Sequence, residues 1–193
     1  HAVGQRLSAR RGDLPALGPA GKQVVLRTAD IGDLRSSLRG ELLTAGQDGY
    51  ESARHVWNGA FDRKPALIAR CAGAADVIQS LNFGRANGLV VAVRGGGHSL
   101  SGQSVCDGGL MIDLSPMKSV HVDPVAKIGR LEPGVLLGHF DREAQAFGLA
   151  TTAGTVSHTG AAGLTLGGGF GRIGRKYSLA CDNLRAAEMV TPG

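Results

Sequence analysis

The sequence is poor in aromatic residues and in clustered charge. Aromatic side chains make up 4% of its 193 residues, with one tryptophan, two tyrosines and five phenylalanines. Proteins that bind single-stranded nucleic acids stack the bases on such side chains, and this chain offers few of them. The formal net charge is +5, but no four basic residues stand in a row. We therefore expect no nucleic-acid partner, since an anionic small ligand accounts for the charge equally well.

Cysteine is equally scarce. The three cysteines, Cys71, Cys106 and Cys181, lie far apart and form no C-x-x-C pair. This spacing argues against a zinc site and a disulfide framework. We therefore expect the cysteines to be buried and to act as small apolar residues, and we expect no metal. No apolar run approaches the roughly 20 residues that a membrane-spanning helix needs, and we expect no membrane partner.

Several catalytic motifs are missing as well. The sequence contains no G-x-x-x-x-G-K-[ST] phosphate loop. Gly169–Gly174 fits G-x-G-x-x-G, but no strand of β-branched residues precedes it, which disfavours a Rossmann site. His98 and Ser99 are neighbours, as are Ser157 and His158. Adjacent residues rarely form a catalytic dyad, so we do not expect a hydrolase.

Glycine, by contrast, accounts for 31 residues, about twice its usual share. The glycines concentrate in two regions without a fixed period. This distribution excludes collagen and favours close contact between the backbone and a ligand. We call residues 94–99 the first glycine segment and residues 154–174 the second glycine segment.

The first glycine segment follows the apolar run 89–93, which predicts a strand. Its three consecutive glycines allow their N–H groups to line an anion-binding concavity. Arg94 adds a cation suited to paired phosphate oxygens, and His98 offers a nucleophilic imidazole beside it. The alternative interpretation of His98 is a turn histidine that is hydrogen-bonded to the backbone.

Apolar periodicity predicts a mixed α+β fold with two small sheets. The predicted helices cover 34–43, 74–88 and 136–147, and the predicted strands cover 67–69, 89–94, 109–114, 119–122, 127–131 and 186–191. The first two of these strands and the helix between them form a β-α-β unit, which places the first glycine segment at the carboxyl end of a strand. Residues 1 to about 30 predict a loose extension. The last strand has no closing helix, which predicts that the chain is a fragment.

Five ordered blocks carry a family resemblance. They are Arg94–Gly109, Asp113–Ser115, Gly154–Gly171, Arg175–Tyr177 and Asp182–Leu184. Together they resemble the PCMH-type FAD-binding domain of the vanillyl-alcohol oxidase / p-cresol methylhydroxylase superfamily, most closely its berberine-bridge-enzyme-like oxidoreductases. The resemblance covers residues 63–193. It implies an FAD-binding domain of two small α/β subdomains there, an N-terminal extension and connector over residues 1–62, and no substrate domain.

The resemblance implies an FAD site built from both glycine segments, with the FAD pyrophosphate on the first segment and the flavin ring and ribityl chain along the second. His98 would bond to the 8α-methyl group of the flavin. Val156 stands where many relatives carry a second attaching cysteine, which implies a single histidyl link. Tight turn packing alone is the alternative interpretation of the second segment. The implied cofactor-binding residues are Arg94, Gly95, Gly96, Gly97, His98, Ser99, Gly154, Thr155, Val156, Ser157, Gly160, Gly163, Leu164, Gly168, Gly169, Asp182, Asn183 and Val190, the last three on the adenosine side.

The implied activity is that of an FAD-linked oxidase or dehydrogenase with a small-molecule substrate. The flavin N5 would accept a hydride from an alcohol, a sugar or a related C–H donor. In the family the catalytic base comes largely from a later domain, so neither Tyr50 nor Tyr177 is assigned that role and no catalytic residue is expected in this chain. An FAD-binding module that is inactive alone is the alternative.

Overall fold

The computed structural model describes residues 12–191 and has a mixed helix-and-sheet fold, so the predicted α+β class is confirmed. The strands are β1 (Leu14–Leu17), β2 (Gln23–Leu26), β3 (Glu41–Leu43), β4 (Leu67–Arg70), β5 (Val91–Arg94), β6 (Leu110–Asp113), β7 (Val120–Asp123) and β8 (Ile128–Leu131). The helices are α1 (Thr28–Ser37), α2 (Tyr50–Arg54), α3 (Ala74–Ala86), α4 (Leu137–Gln145), α5 (Ala161–Leu166) and α6 (Gly174–Tyr177), with short 3-10 turns at Pro19–Gly21 and Cys181–Asn183.

A four-stranded sheet in the order β3-β4-β6-β5 forms the centre of the molecule. Both β4 and β5 pair with β6 in parallel, and β3 pairs with β4 in antiparallel. The elements β4, α3 and β5 are therefore the predicted β-α-β unit, with β6 inserted between its strands. Arg70, Asp113 and Arg94 end the three parallel strands in register. The first glycine segment thus leaves the sheet at the carboxyl edge of its parallel strands.

The core lies on both faces of this sheet, because the central strands are apolar throughout. Leu67 and Leu110 belong to a buried cluster on one face, together with Leu26. Their neighbours along the strands, Ile68 and Met111, belong to the cluster on the other face. Burial on both faces is typical of parallel strands and gives them continuous apolar sequences. The strong sequence signal of β4 and β6 has this origin.

The prediction of a loose extension up to about residue 30 is wrong over residues 14–26. Strands β1 and β2 form an antiparallel hairpin there, and Ala16 is buried in the main core. The main-chain N–H of Val90 donates to Leu17 O at 2.9 Å, which ties the hairpin to the residues before β5. Two four-residue strands give too little periodicity to be recognised beside glycines and prolines. Residues 1–11 lie outside the described part of the chain.

The predicted helix over 34–43 is also wrong in its second half. Helix α1 ends at Ser37, and Leu42 lies in β3, paired with Ala69. The buried carboxylate of Asp76 accepts the main-chain N–H groups of Arg39 and Gly40 at 3.0 and 2.9 Å. This long-range contact fixes a non-helical backbone where the leucine spacing alone favours a helix.

Of the remaining secondary-structure predictions, two are confirmed and two are wrong. The hairpin of β7 and β8 and helix α4 are confirmed. Helix α4 packs against β7, and the Phe140 ring of α4 lies beside Gly129 of β8. The predicted strand over 186–191 is wrong, since those residues have no strand partner in the described part of the chain. The described residues form three sheets instead of the predicted two, because the β1–β2 hairpin is a separate sheet. None of the described helices has the length and apolar character needed to cross a bilayer.

Candidate cofactor-binding site

The first glycine segment is anchored by an ion-pair network at the edge of the sheet. Asp113, 1% exposed, lies between Arg94, with Nε at 3.8 Å from Oδ1, and Arg70, with Nε at 3.5 Å from Oδ2. A second guanidinium nitrogen of Arg94 donates to Ala53 O. The Arg94 side chain thus has two protein partners, and its predicted contact with the cofactor stays a prediction. The guanidinium is directed into the protein, where it supports the loop that follows.

The main chain of this segment is available for an anion. Within residues 12–191, the N–H groups of Gly95 to Ser99 donate no hydrogen bond to protein. Gly97 has φ +72°, a left-handed conformation that favours glycine. Ser99 closes the loop, because its Oγ accepts the N–H of Gln103 at 3.1 Å. Consecutive unpaired N–H groups in a glycine-rich turn form the kind of nest that binds phosphate.

The two glycine segments contact each other directly through their backbones. A Cβ atom added to Gly96 would lie 2.4 Å from both N and Cα of Gly160. A Cβ atom added to Gly160 would lie 2.6 Å from N and 2.8 Å from Cα of Gly96. Neither position has room for a side chain. Leu136 also pairs with Gly160 as a β-bridge, so the second segment is held against the first.

The His98 ring contacts two other rings. The ring of Trp57 stacks on it, with centroids 5.1 Å apart and planes 18° apart. The ring of His158 is 4.8 Å away and tilted by 48°. Burial lowers the pKa of His98, the nearby His158 lowers it further, and the main chain of His158 acts weakly in the opposite direction. The neutral imidazole, which carries the nucleophilic lone pair, is therefore favoured.

Trp57 and His158 are site residues that sequence reasoning did not identify. His158 lies inside the second glycine segment, but in the sequence it stands out only as the neighbour of Ser157, a pair unsuitable for a catalytic dyad. Trp57 lies in the connector between α2 and β4, about forty residues before His98. Its status as the single tryptophan was the one available signal, and it does not indicate which residue the ring contacts.

The first half of the second glycine segment runs along the start of α4. Ser157 O accepts the N–H of Gly138 at 2.8 Å, and Thr159 O accepts the N–H of Leu137 at 2.9 Å. Thr155 and Val156 are exposed, and Val156 offers no nucleophile.

Burial raises the pKa of Cys71 to about 12 and that of Cys106 to about 11, so neither thiol is a reactive thiolate. Both are buried as expected, whereas Cys181 is half-buried.

Other predicted residues of the second segment have mainly structural contacts. Gly168 and Gly169 have φ +106° and +69°, and their carbonyls accept the N–H groups of Cys181 and Ala180. A Cβ atom on Gly154 would lie 2.4 Å from Leu164 Cδ1. These glycines are required by the turn itself. Gly163, in contrast, has nothing within 4 Å of an added Cβ atom, which leaves open space beside α5.

The residues predicted on the adenosine side stabilise a local turn. Asp182 Oδ2 accepts the N–H of Leu179 at 2.9 Å. The Asn183 side-chain amide donates to Tyr177 O at 2.8 Å and to Leu179 O at 2.9 Å. Val190 is half-buried in an extended stretch without strand pairing. Within residues 12–191, no group of three or more candidate metal ligands occurs.

Comparison with known proteins is consistent with this geometry. A family model described as "FAD binding domain" matches residues 65–193. The (R)-6-hydroxynicotine oxidase of Paenarthrobacter nicotinovorans is 39% identical over 155 residues, which cover 80% of this chain and 34% of that protein. The crystal structure of 6-hydroxy-D-nicotine oxidase from Arthrobacter nicotinovorans aligns with a TM-score of 0.74 at 39% identity, over 76% of this chain and 32% of that one.

A second solved structure has the same fold. BBE-like 1 of Physcomitrella patens aligns with a TM-score of 0.73 at 26% identity, over 79% of this chain and 34% of that one. The chain therefore spans about a third of the length of the relatives it matches. The family expected from the glycine segments is confirmed: the chain belongs to the FAD-binding domain family of the FAD-linked oxidoreductases, with a fold shared by berberine-bridge-enzyme-like proteins.

Proposed function

We propose that this chain holds FAD for an oxidase or dehydrogenase, and that His98 bonds covalently to the flavin. The observation that carries the proposal is the pairing of an open N–H nest with an imidazole at one end. The N–H groups of Gly95 to Ser99 have no protein acceptor within the described residues, and His98 lies within the same turn. The second glycine segment faces that turn across the Gly96–Gly160 contact.

In this proposal the nest binds the FAD pyrophosphate. Consecutive main-chain N–H groups supply partial positive charge to phosphate oxygens without a desolvated side chain. Arg94 stabilises the turn from beneath through Asp113 and Ala53. The contact between Gly96 and Gly160 keeps the second segment close enough to line the rest of the cofactor. Thr155, Val156 and Ser157 are exposed there and available for contact.

The proposed covalent bond joins a ring nitrogen of His98 to the 8α carbon of FAD. One C–H bond of the methyl group and one N–H bond of the imidazole are replaced by one C–N bond. The two protons and two electrons released would leave as hydrogen peroxide, with dioxygen as the two-electron oxidant. A neutral His98 favours this bond, because only the neutral ring has a free lone pair. Val156 carries no nucleophile, so we propose a single attachment.

Bound FAD supplies hydride acceptance from a C–H bond next to oxygen or nitrogen. The related proteins include oxidases named for a hydroxynicotine, for oligosaccharides and for aclacinomycin. We propose a small organic molecule with an oxidisable alcohol, sugar or amine carbon as the substrate. No residue of this chain is assigned as the catalytic base.

A second candidate function is an FAD-binding module that does not turn over alone. It is favoured by the coverage, since the chain spans only about a third of its relatives. Reduction of bound FAD by alcohols, sugars or amines under anaerobic conditions separates the two candidates. Bleaching of the flavin absorbance supports the enzyme, and an unchanged spectrum supports the module.

Acid precipitation of the purified, FAD-loaded chain tests the covalent bond. We expect the yellow colour to remain with the polypeptide. The His98→Ala variant is expected to release all of its flavin into the supernatant, while the control His121→Ala, altered on an exposed strand, retains it. Flavin released by the unaltered chain, or retained by His98→Ala, would contradict the proposal.

A further inference from the structure

Two segments far apart in sequence each place a ring against His98. The main-chain N–H of Trp57 donates to Gly97 O at 3.0 Å. The side-chain amide of Asn58 donates to Leu100 O at 3.0 Å. These two bonds attach the connector to the turn one residue before His98 and two residues after it. The Trp57 ring, though 58% exposed, is therefore carried by a backbone that is fixed to the turn.

The backbone that carries His158 is fixed to a different element, helix α4. The carbonyl oxygens of Ser157 and Thr159, which flank His158, accept the main-chain N–H groups of Gly138 and Leu137 at the start of α4. The backbone that carries His158 is thus hydrogen-bonded to α4 on both sides of this residue. Its ring centroid lies 4.8 Å from that of His98, which is within the range of favourable contact between rings.

We propose that Trp57 and His158 are positioning residues that hold the His98 imidazole through these ring contacts and orient its ring nitrogen toward the 8α carbon of FAD. The inference rests on the proposed histidyl link. Trp57 sets the plane of the ring, because the two planes differ by only 18°. His158 limits rotation of the ring. Neither residue bonds to the cofactor, and each acts through His98.

Electrostatics supports the same arrangement. The titratable group that faces His98 from the second glycine segment is His158, while the connector presents the uncharged Trp57 ring. Arg94, on the preceding strand, is paired with Asp113. Burial and the charge of His158 both lower the pKa of His98. Removing either neighbour is therefore expected to move the His98 pKa back toward its ordinary value.

The first test uses the full chain without FAD and follows the His98 ring protons by NMR across a pH titration. We expect His158→Gln to raise the pKa of His98, and Trp57→Leu to shift the His98 ring signals by removing the stacked indole. His121→Gln serves as the matched control and leaves both unchanged. The proposal would be overturned if the pKa of His98 stayed the same in His158→Gln and the His98 ring signals stayed the same in Trp57→Leu. This outcome does not depend on whether FAD becomes bonded.

The second test adds FAD to each chain and measures how fast acid-stable flavin accumulates. Loss of one aromatic contact is expected to slow attachment by roughly two- to tenfold, with the noncovalent dissociation constant for FAD unchanged. Trp57→Phe keeps a ring and is expected to recover most of the rate. Variants that attach FAD at the original rate would overturn the positioning role. Absence of acid-stable flavin in the unaltered chain would instead refute the histidyl link itself.

Discussion

The two glycine segments have similar compositions but are stabilised in different ways. The first extends a parallel strand and lies over Asp113, which is 1% exposed and paired with two arginines. The second has no sheet of its own and is held by α4, by the β-bridge at Gly160 and by short helices. Leu166 and Phe170 in it are 64% and 81% exposed. In the proposed function the first, more firmly anchored segment fixes the cofactor, and the second lines it.

Removing the buried carboxylate is expected to have the largest effect. Asp113→Ala leaves Arg94 and Arg70 without their shared partner, and breaking a buried ion pair costs about 3–5 kcal/mol. Urea denaturation measures the loss in the free energy of unfolding. Glu41→Ala is the matched control, because it removes an exposed partner of the same Arg70 and should cost at most about 1 kcal/mol. Equal effects of the two variants would refute the anchoring role of Asp113.

The second-largest effect is expected from disturbing the contact between the two glycine segments. Gly96→Ala places a Cβ atom on the Gly160 backbone, and overpacking of this kind costs about 1–3 kcal/mol. We expect the variant also to lose FAD, because the two segments must separate. Gly32→Ala, in α1 with open space around it, is expected to be neutral or stabilising by up to about 1 kcal/mol. Full FAD retention by Gly96→Ala would show that the segments act independently.

A smaller effect is expected in the second segment. Gly169→Ala forces a side chain into a left-handed conformation with φ +69°, which costs roughly 1–2 kcal/mol. Its added Cβ atom meets mainly the side chains of Leu164 and Ala180, and an exposed segment can shift to relieve the contact. Thermal unfolding of the two alanine variants side by side checks this order. A larger loss for Gly169→Ala than for Gly96→Ala would reverse the comparison between the segments.

The smallest effect is a pH dependence from His98. Its pKa in the folded chain is below the ordinary value of 6.5, so the unfolded chain binds this proton more readily. Stability is therefore expected to fall as the pH drops from about 6.5 through the lowered pKa. His98→Asn removes this contribution, and denaturation at pH 5.5 and 7.5 compares the two chains. An equal fall in stability with acid in both chains would show that His98 is not the group responsible.

The sequence predicts the first segment better than its surroundings, for a physical reason. Strand β5 and the glycines after it carry local signals, because apolar runs and backbone freedom are properties of adjacent residues. The pairing of Arg94 with Asp113 depends on the register of two parallel strands, and the stacking of Trp57 depends on where a connector crosses the turn. Such contacts between distant residues have no local pattern. The same limit explains the missed β1–β2 hairpin and the misplaced end of α1.

Mapping the flavin on peptides tests the central claim most directly. Trypsin cleavage after Arg94 and Lys118 releases a peptide that contains His98 as its sole histidine, while His158 lies in the peptide between Arg142 and Arg172. We predict that mass spectrometry of the FAD-loaded chain finds the flavin adduct on the first peptide, with fragmentation placing it on His98. An adduct on His158 or on Cys106, or unmodified peptides from a chain that binds FAD, would contradict the account.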